Sequence, residues 1–278
     1  MDPTSAAVGA GISLLGTGKV VEKILGPTAE YIGDGLKAWT EKRVQNTKRI
    51  FASAERHLGA KLDEVGSVPP KVLKEVLEEG SYCDEQLAVE YFGGVLASSR
   101  GPTSRDDRGA ILLKTIASLT TYQLRAHYIL YSKFLAQFRS RPFELGDTLR
   151  NQSNVAFVGS ETFDLLMDYS NEPDPRGIVM HTLFGLRNAG LIGDFASGQR
   201  HSLEILLPNP KGVGIAFRPT VPGAELFLWA TGQGKLSVVA FFQASDPEIL
   251  SASTSSGQNA SSIPEITSAT PPEPARWS

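Results

Sequence analysis

The opening stretch GAGISLLGTGKVVEKILGP, residues 9–27, combines several glycines with a lysine, the residue types that loops use to bind phosphate. A Walker A loop needs a glycine five positions before its Gly-Lys pair and a hydroxyl directly after it. With the pair at 18–19, those two positions hold Ser13 and Val20. A dinucleotide fingerprint begun on the first of these glycines would need a glycine where Leu14 stands. The stretch therefore does not predict a phosphate-binding loop, and no cofactor is expected.

The other side chains that could carry chemistry are scattered along the chain. Cys83 is the lone cysteine and has no catalytic signature around it. No Gly-x-Ser-x-Gly elbow occurs, and no two histidines stand at the helical spacing of metal ligands; they are His57, His127, His181 and His201. We therefore predict no catalytic residue, no metal site and a protein that is not an enzyme.

The elements that would position functional residues begin with a helical bundle, predicted for residues 20–139. One amphipathic pattern spans 27–62, with apolar residues at steps that fit 3.6 residues per turn. A second helix follows from VPPKVLKEVLEEG, where Gly80 is placed to end it. Two further helices are predicted around 112–116 and 124–138.

A third helix of this bundle, from DEQLAVEYFGGVLASS, contains the adjacent pair Gly93-Gly94. Each glycine costs about 1 kcal/mol in helix propensity. Tertiary packing at the two glycines must therefore offset this loss of helix propensity. We expect another backbone to approach this helix closely at the pair.

After a predicted linker at 140–154 the pattern becomes shorter and mixed. One helix is predicted from Ser160 through Asp168, and another opens at Asp174-Pro175 and ends at Gly190. The remaining predicted elements are strands at 191–195, 202–207, 214–220 and 236–242 and a short helix at 222–231. Two helices followed by a hairpin have the element order of a winged helix. The fold class is therefore mainly α, with a helical bundle followed by a smaller winged-helix-like α+β region at 155–249.

The charge of the winged-helix-like region decides between two kinds of partner. Residues 155–242 hold six basic and eight acidic side chains, so phosphate contacts with nucleic acid are disfavoured. The candidate recognition helix offers only Arg176, His181 and Arg187 to DNA. We therefore favour a protein-binding or dimerising module, with a DNA-binding regulator as the alternative.

The two ends of the chain differ from its middle. The segment 1–19 is rich in small residues, and we expect a helix over 5–25 that either packs on the bundle or lies on a membrane surface. The tail 250–278 consists mostly of Ser, Thr and Pro and is predicted to be disordered. Because no signal-peptide pattern opens the chain, a cytoplasmic location is expected.

Several segments resemble the Abi-alpha family of abortive-infection proteins. The similarity is carried by ILGPTAEYIGD (24–34), KAWTEKRVQNTKRI (37–50), VPPKVLKEVLEEGSYCDEQL (68–87), YFGGVLASS (91–99), LFGLRNAGLI (183–192) and RPTVPGAELFL (218–228). Where the family has a tryptophan-alanine motif, this chain has Tyr91-Phe92-Gly93. The resemblance implies a bacterial protein that protects against bacteriophage by sacrificing or arresting the infected cell. It implies no catalytic residue.

Three functional classes follow from the sequence. The first is a defence protein that works through a protein partner, a homo-oligomer or a membrane surface, and this class is favoured by the resemblance. The second is the winged-helix DNA-binding regulator. The third, a hydrolase or nuclease, comes last because no motif supports it.

Overall fold

The structure, a computed structural model, describes residues 29–103, 105–145, 154–169 and 172–247, with side chains described from residue 41 onward. The predicted N-terminal segment 1–19 and the tail 250–278 lie outside the described residues, as does part of the predicted linker. The chain divides into two compact units, with the boundary between Lys114 and Thr115. Each unit is described by itself below.

The first unit is helical. Its elements are α1 (Ala29–Leu58), a 3₁₀ turn (Gly59–Asp63), α2 (Pro70–Glu78), a second 3₁₀ turn (Gly80–Tyr82), α3 (Gln86–Ser99) and α4 (Arg108–Ser118), whose last residues cross the boundary. Helix α1 ends four residues earlier than predicted, and the next residue, Gly59, adopts a φ of +51°. The Glu85 side chain caps α3 by accepting from the backbone amides of Leu87 and Ala88.

Helix α3 forms the centre of this unit, since its residues from Leu87 to Ser99 are all buried. At Gly93 an added Cβ would lie only 2.4 Å from Cβ and Oγ of Ser53 on α1. The two helices therefore meet at a contact that admits no side chain at this position. The predicted close approach of a second backbone is confirmed.

The second unit combines helices with a small sheet. Its elements are α5 (Thr121–Phe138), β1 (Ala156–Gly159), α6 (Ser160–Met167), α7 (Pro175–Asn188), β2 (Ile192–Gly198), the short α8 (Arg200–Leu203), β3 (Gly214–Pro219), α9 (Val221–Ala230) and a 3₁₀ helix (Val238–Gln243). The strands pair antiparallel in the order β1-β3-β2, with Phe217 of β3 opposite Ala156 on one side and Phe195 on the other.

The order α5, β1, α6, α7, β2, β3, with β3 between the other two strands, is the topology of a winged helix. The predicted mainly helical fold with a winged-helix-like region is confirmed. Helix α5 was predicted to close the bundle at residue 139, but the structure places it in the second unit. The spacing of apolar residues in α5 predicts a packed helix, but it does not identify the elements against which the helix packs.

An aromatic core holds the second unit together around Tyr131 and Phe134 of α5. Both rings are fully buried, and ring centroids of neighbouring aromatic residues lie within 6.2 Å of Tyr131 or Phe134; among them are Phe217, Phe227, Phe241 and Phe242. The Tyr131 hydroxyl donates to the Leu191 carbonyl at 2.6 Å and accepts from the Thr220 amide at 3.0 Å. Helix α5 thus fixes the loops that precede β2 and α9.

Two predicted strands are wrong. Residues 202–207 instead complete α8 and turn, which buries Leu203 and packs Leu206 and Leu207 beside it while Ile205 is 87% exposed. The packed residues Leu203, Leu206 and Leu207 are three and one positions apart, a spacing that fits a helical turn better than a strand. In place of the predicted strand at 236–242, residues Val238–Gln243 form a 3₁₀ helix, which buries the adjacent rings of Phe241 and Phe242 in one core, whereas a strand would point them to opposite faces. Strand β1 was not predicted.

Candidate interaction surface

Helix α7 occupies the recognition-helix position of the winged helix, and its sequence sets both of its ends. The Asp174 side chain accepts from the Gly177 amide at 3.0 Å, and proline stands at the first helical position. The helix ends before Gly190, whose φ is +71°. The predicted start and stop of this helix are therefore confirmed.

One side of α7 is held against α5 by a close contact. An added Cβ at Gly185 would lie 1.9 Å from Nε2 of Gln123. Gln123 is buried and closes the capping box of α5 with Thr120. The cap of one helix thus sets the position of the other.

The solvent side of α7 carries a stripe of four exposed residues, Arg176, Met180, Phe184 and Arg187, which we call the α7 stripe. Their spacing of four, four and three places them within about 80° on the helix. Met180 is 42% exposed and Phe184 46%, and the Phe184 ring meets Phe195 of β2 edge to face at 5.1 Å. Two large apolar side chains therefore lie between two cations on an open surface.

The three residues predicted for DNA contact are all exposed, but the structure does not bring them together. Arg187 pairs with Asp194 of β2 at 3.2 Å, and Arg218 of β3 contacts the other oxygen of that carboxylate at 2.9 Å. His181 lies about 140° around the helix from Arg176. Sequence reasoning did not identify Asp194 as a partner of Arg187. Its position beside the end of α7 depends on the irregular pairing of β2 with β3 between Ile192 and Phe195.

Two clefts flank α7. A smaller one of about 210 Å³ is lined by Arg176, Val179, Met180, 197–199, His201 and Ser202. The other, of about 340 Å³, is lined by Thr120, Tyr122, 172–174, Gly177, Ile178 and 181–182. We call the second the acidic cleft, because Glu172 and Asp174 contribute its charged groups. Arg176 and His181 thus belong to different clefts.

In the first unit, Glu90 is a buried charged group that sequence reasoning passed over. Its carboxylate accepts from Ser53 Oγ, Arg56 Nη2 and Gln86 Nε2, each at 2.6 Å. His57 Nε2 lies 3.9 Å from the same carboxylate, and burial, ahead of the opposing effect of Glu90, lowers the pKa of His57. The carboxylate accepts three short hydrogen bonds and is therefore satisfied. Because Ser53 and Arg56 lie on α1 and Glu90 lies on α3, the cluster links these two helices. The sequence signal was a glutamate inside the apolar run LAVEYFGG.

Cys83 lies in a setting that suppresses thiol reactivity. Burial, followed by the charges of Asp84, Glu79 and Glu85, raises the pKa of this thiol to about 11. The thiol is therefore protonated at neutral pH, and the thiolate is the nucleophilic form. In the described part of the chain, no three His, Cys, Asp or Glu residues are grouped to hold a metal ion.

His127 is fully buried in the second unit, with Nε2 3.0 Å from the Gly223 carbonyl and its ring 4.8 Å from that of Tyr131. A carbonyl oxygen only accepts, so the neutral imidazole carries its proton on Nε2. Burial lowers the pKa of His127 to about 4, although the bond to Gly223 opposes this.

The stability of the protein should depend on pH through His127. In the unfolded chain this histidine titrates near pH 6.5. As the pH falls from about 6.5 to about 4, the unfolded chain gains a proton that the folded chain does not, so the free energy of unfolding decreases, by about 3 kcal/mol at the lower end. His127→Gln keeps a donor for Gly223 and does not titrate. Its urea midpoint should fall less steeply over this window, and an equal fall in both proteins would refute the assignment.

A comparison with protein-family models, curated proteins and solved structures finds no match to this chain. The Abi-alpha resemblance therefore rests on the quoted segments alone. No helix among the described residues is both long and apolar enough to cross a membrane.

Proposed function

We propose that this protein is a bacterial defence protein of the abortive-infection type, and that its winged-helix unit works by binding another protein rather than by catalysis. The defence role is supported by the resemblance of segments in both halves of the chain to the Abi-alpha family. The mode of action is supported by the surface of α7.

The observation that carries the proposal is the composition of the α7 stripe. Met180 and Phe184 form an exposed apolar centre, and Arg176 and Arg187 stand at its two ends. Protein interfaces have this arrangement, an apolar core with a polar rim, and are enriched in Met, Phe and Arg. Asp194 holds Arg187 in one orientation, which reduces the side-chain entropy lost on binding.

Infection of bacteria that express the full chain tests the defence role. Cells with the protein should form fewer phage plaques than cells with the empty vector, and infected cultures should stop growing before new phage are released. An immunoblot establishes that the protein is present. Equal plating of a broad phage panel on both strains would overturn the proposal.

A DNA-binding regulator is the second candidate, and the winged-helix topology is the observation that favours it. Recognition helices of this class enter the major groove and place basic residues near phosphates. Here Asp194 stands between Arg187 and Arg218. An acidic group at that place opposes the approach of the phosphate backbone.

We therefore expect no sequence-specific binding of duplex DNA by the purified protein. The measurement is repeated selection from a random duplex library, followed by titration of any enriched sequence at two salt concentrations. Enrichment of one sequence, with affinity that falls steeply in salt and is lost in Arg176→Ala, would support the regulator instead.

A further inference from the structure

The acidic cleft offers several hydrogen-bond acceptors to a ligand. Tyr122 donates its hydroxyl to Glu172 Oε1 at 3.0 Å, and the Gly177 amide donates to Asp174 Oδ1 at 3.0 Å. One oxygen of each carboxylate accepts a hydrogen bond that fixes the side chain, and the other oxygen is available to accept a hydrogen bond from a ligand. Among the described residues, no lysine or arginine lines the cleft, so a ligand that carries positive charge meets two opposite charges there.

A buried hydroxyl in the wall of the cleft points to a ligand independently of the carboxylates. Thr182 is 0% exposed and lines the cleft, and its Oγ1 has no hydrogen-bond partner among the described residues. Buried polar groups of folded proteins are nearly always hydrogen-bonded, so an unpaired one requires an explanation. A donor on a bound ligand would satisfy it.

Apolar and ring-bearing side chains form much of the remaining wall and select the shape of the ligand. Pro173 and Ile178 can cover an alkyl chain, while Tyr122 and His181 contribute rings. A guanidinium group is planar, has five donors and no acceptor, and stacks on rings while it binds carboxylates. An alkyl chain that ends in a guanidinium therefore matches both the apolar walls and the acceptors.

We propose that the acidic cleft binds an arginine side chain that a partner protein supplies. This inference rests on the proposed function, since it names the chemistry by which the winged-helix unit recognises its partner. A single metal ion does not fit the cleft, because Glu172, Asp174 and His181 are not grouped as its ligands. An anion would be repelled by the two carboxylates.

The test is titration of the isotope-labelled full chain with N-acetyl-arginine amide, followed by nuclear magnetic resonance. Backbone amide signals of residues 120–122, 172, 174 and 176–182 should shift with a saturable dependence on concentration. N-acetyl-citrulline amide, which has the same shape and no charge, should leave these signals in place. Shifts of equal size with citrulline, or none with arginine, would overturn the proposal.

Variants locate the binding. Glu172→Gln preserves the acceptor for Tyr122 and removes the charge, so it should weaken arginine binding about tenfold. Glu161→Gln is the matched control, because Glu161 is an exposed acid of the same unit that does not line the cleft, and it should bind arginine as the wild type does. Equal weakening in the two variants would contradict a specific site.

Thr182→Val separates binding from folding. Valine has the shape of threonine, and the lost hydroxyl has no partner among the described residues, so the variant should unfold at the same urea concentration as the wild type or a higher one. It should nevertheless bind the arginine probe more weakly; unchanged binding would count against the proposal. The arginine probe is added to purified protein, so this test does not depend on phage infection. If the wild-type protein binds arginine but gives cells no protection against phage, the defence role is refuted and the cleft assignment remains.

Discussion

Replacing Gly223 by alanine should destabilise the protein by about 4 kcal/mol, because the added methyl group has no space and breaks buried hydrogen bonds. Its Cβ would lie 2.0 Å from the Leu191 carbonyl oxygen and 2.1 Å from the Tyr131 hydroxyl. These two atoms are already hydrogen-bonded to each other at 2.6 Å. The carbonyl belongs to the backbone and the tyrosine ring is fully buried, so neither can move without opening the core.

Urea unfolding of Gly223→Ala and Gly159→Ala measures this effect. Gly159 is the matched control in the same unit, since an alanine there would meet no atom of the described residues within 4 Å and its φ is negative. The control should lose less than about 1 kcal/mol. Equal midpoints for the two variants would show that the contact around Gly223 is not as close as the structure has it.

The second large effect is expected at Gly93, where α1 and α3 meet. Alanine at this position would place Cβ 2.4 Å from Ser53 Cβ and 3.0 Å from the Ala54 backbone nitrogen. The helices must then separate, which also strains the bond from Ser53 to Glu90. We expect a loss of about 2 kcal/mol, after the gain of about 1 kcal/mol in helix propensity is subtracted.

A double-mutant cycle distinguishes steric contact from a general effect on α3. Ser53→Gly removes the atoms that the new methyl group would meet. Combined with Gly93→Ala, it should lose less stability than the two single changes added together. Simple additivity of the free energies of unfolding would mean that the contact does not limit the distance between the helices.

Much of the local structure could be predicted because its causes are local. The Asp174-Pro175 start of α7, its stop before Gly190 and the need for close approach at Gly93 are all visible in short windows of sequence.

The rest depends on contacts between residues far apart in sequence. The packing of Gly223 is decided by Tyr131, 92 positions earlier, and no window of sequence contains both. The position of Asp194 beside Arg187 depends on how β2 pairs with β3. The unpaired hydroxyl of Thr182 could not be foreseen either, since a threonine in an amphipathic helix gives no sign that its partner is missing.

The central claim, that the α7 stripe binds a protein partner in phage defence, is tested most directly by phage plating with a charge placed in the stripe. Met180→Glu puts a carboxylate in its apolar centre, while Ile205→Glu makes the same change at a site that is 87% exposed elsewhere on the unit. Both proteins should fold and accumulate. We predict that Met180→Glu loses protection and that Ile205→Glu plates phage as the wild type does. Full protection by Met180→Glu would contradict the claim.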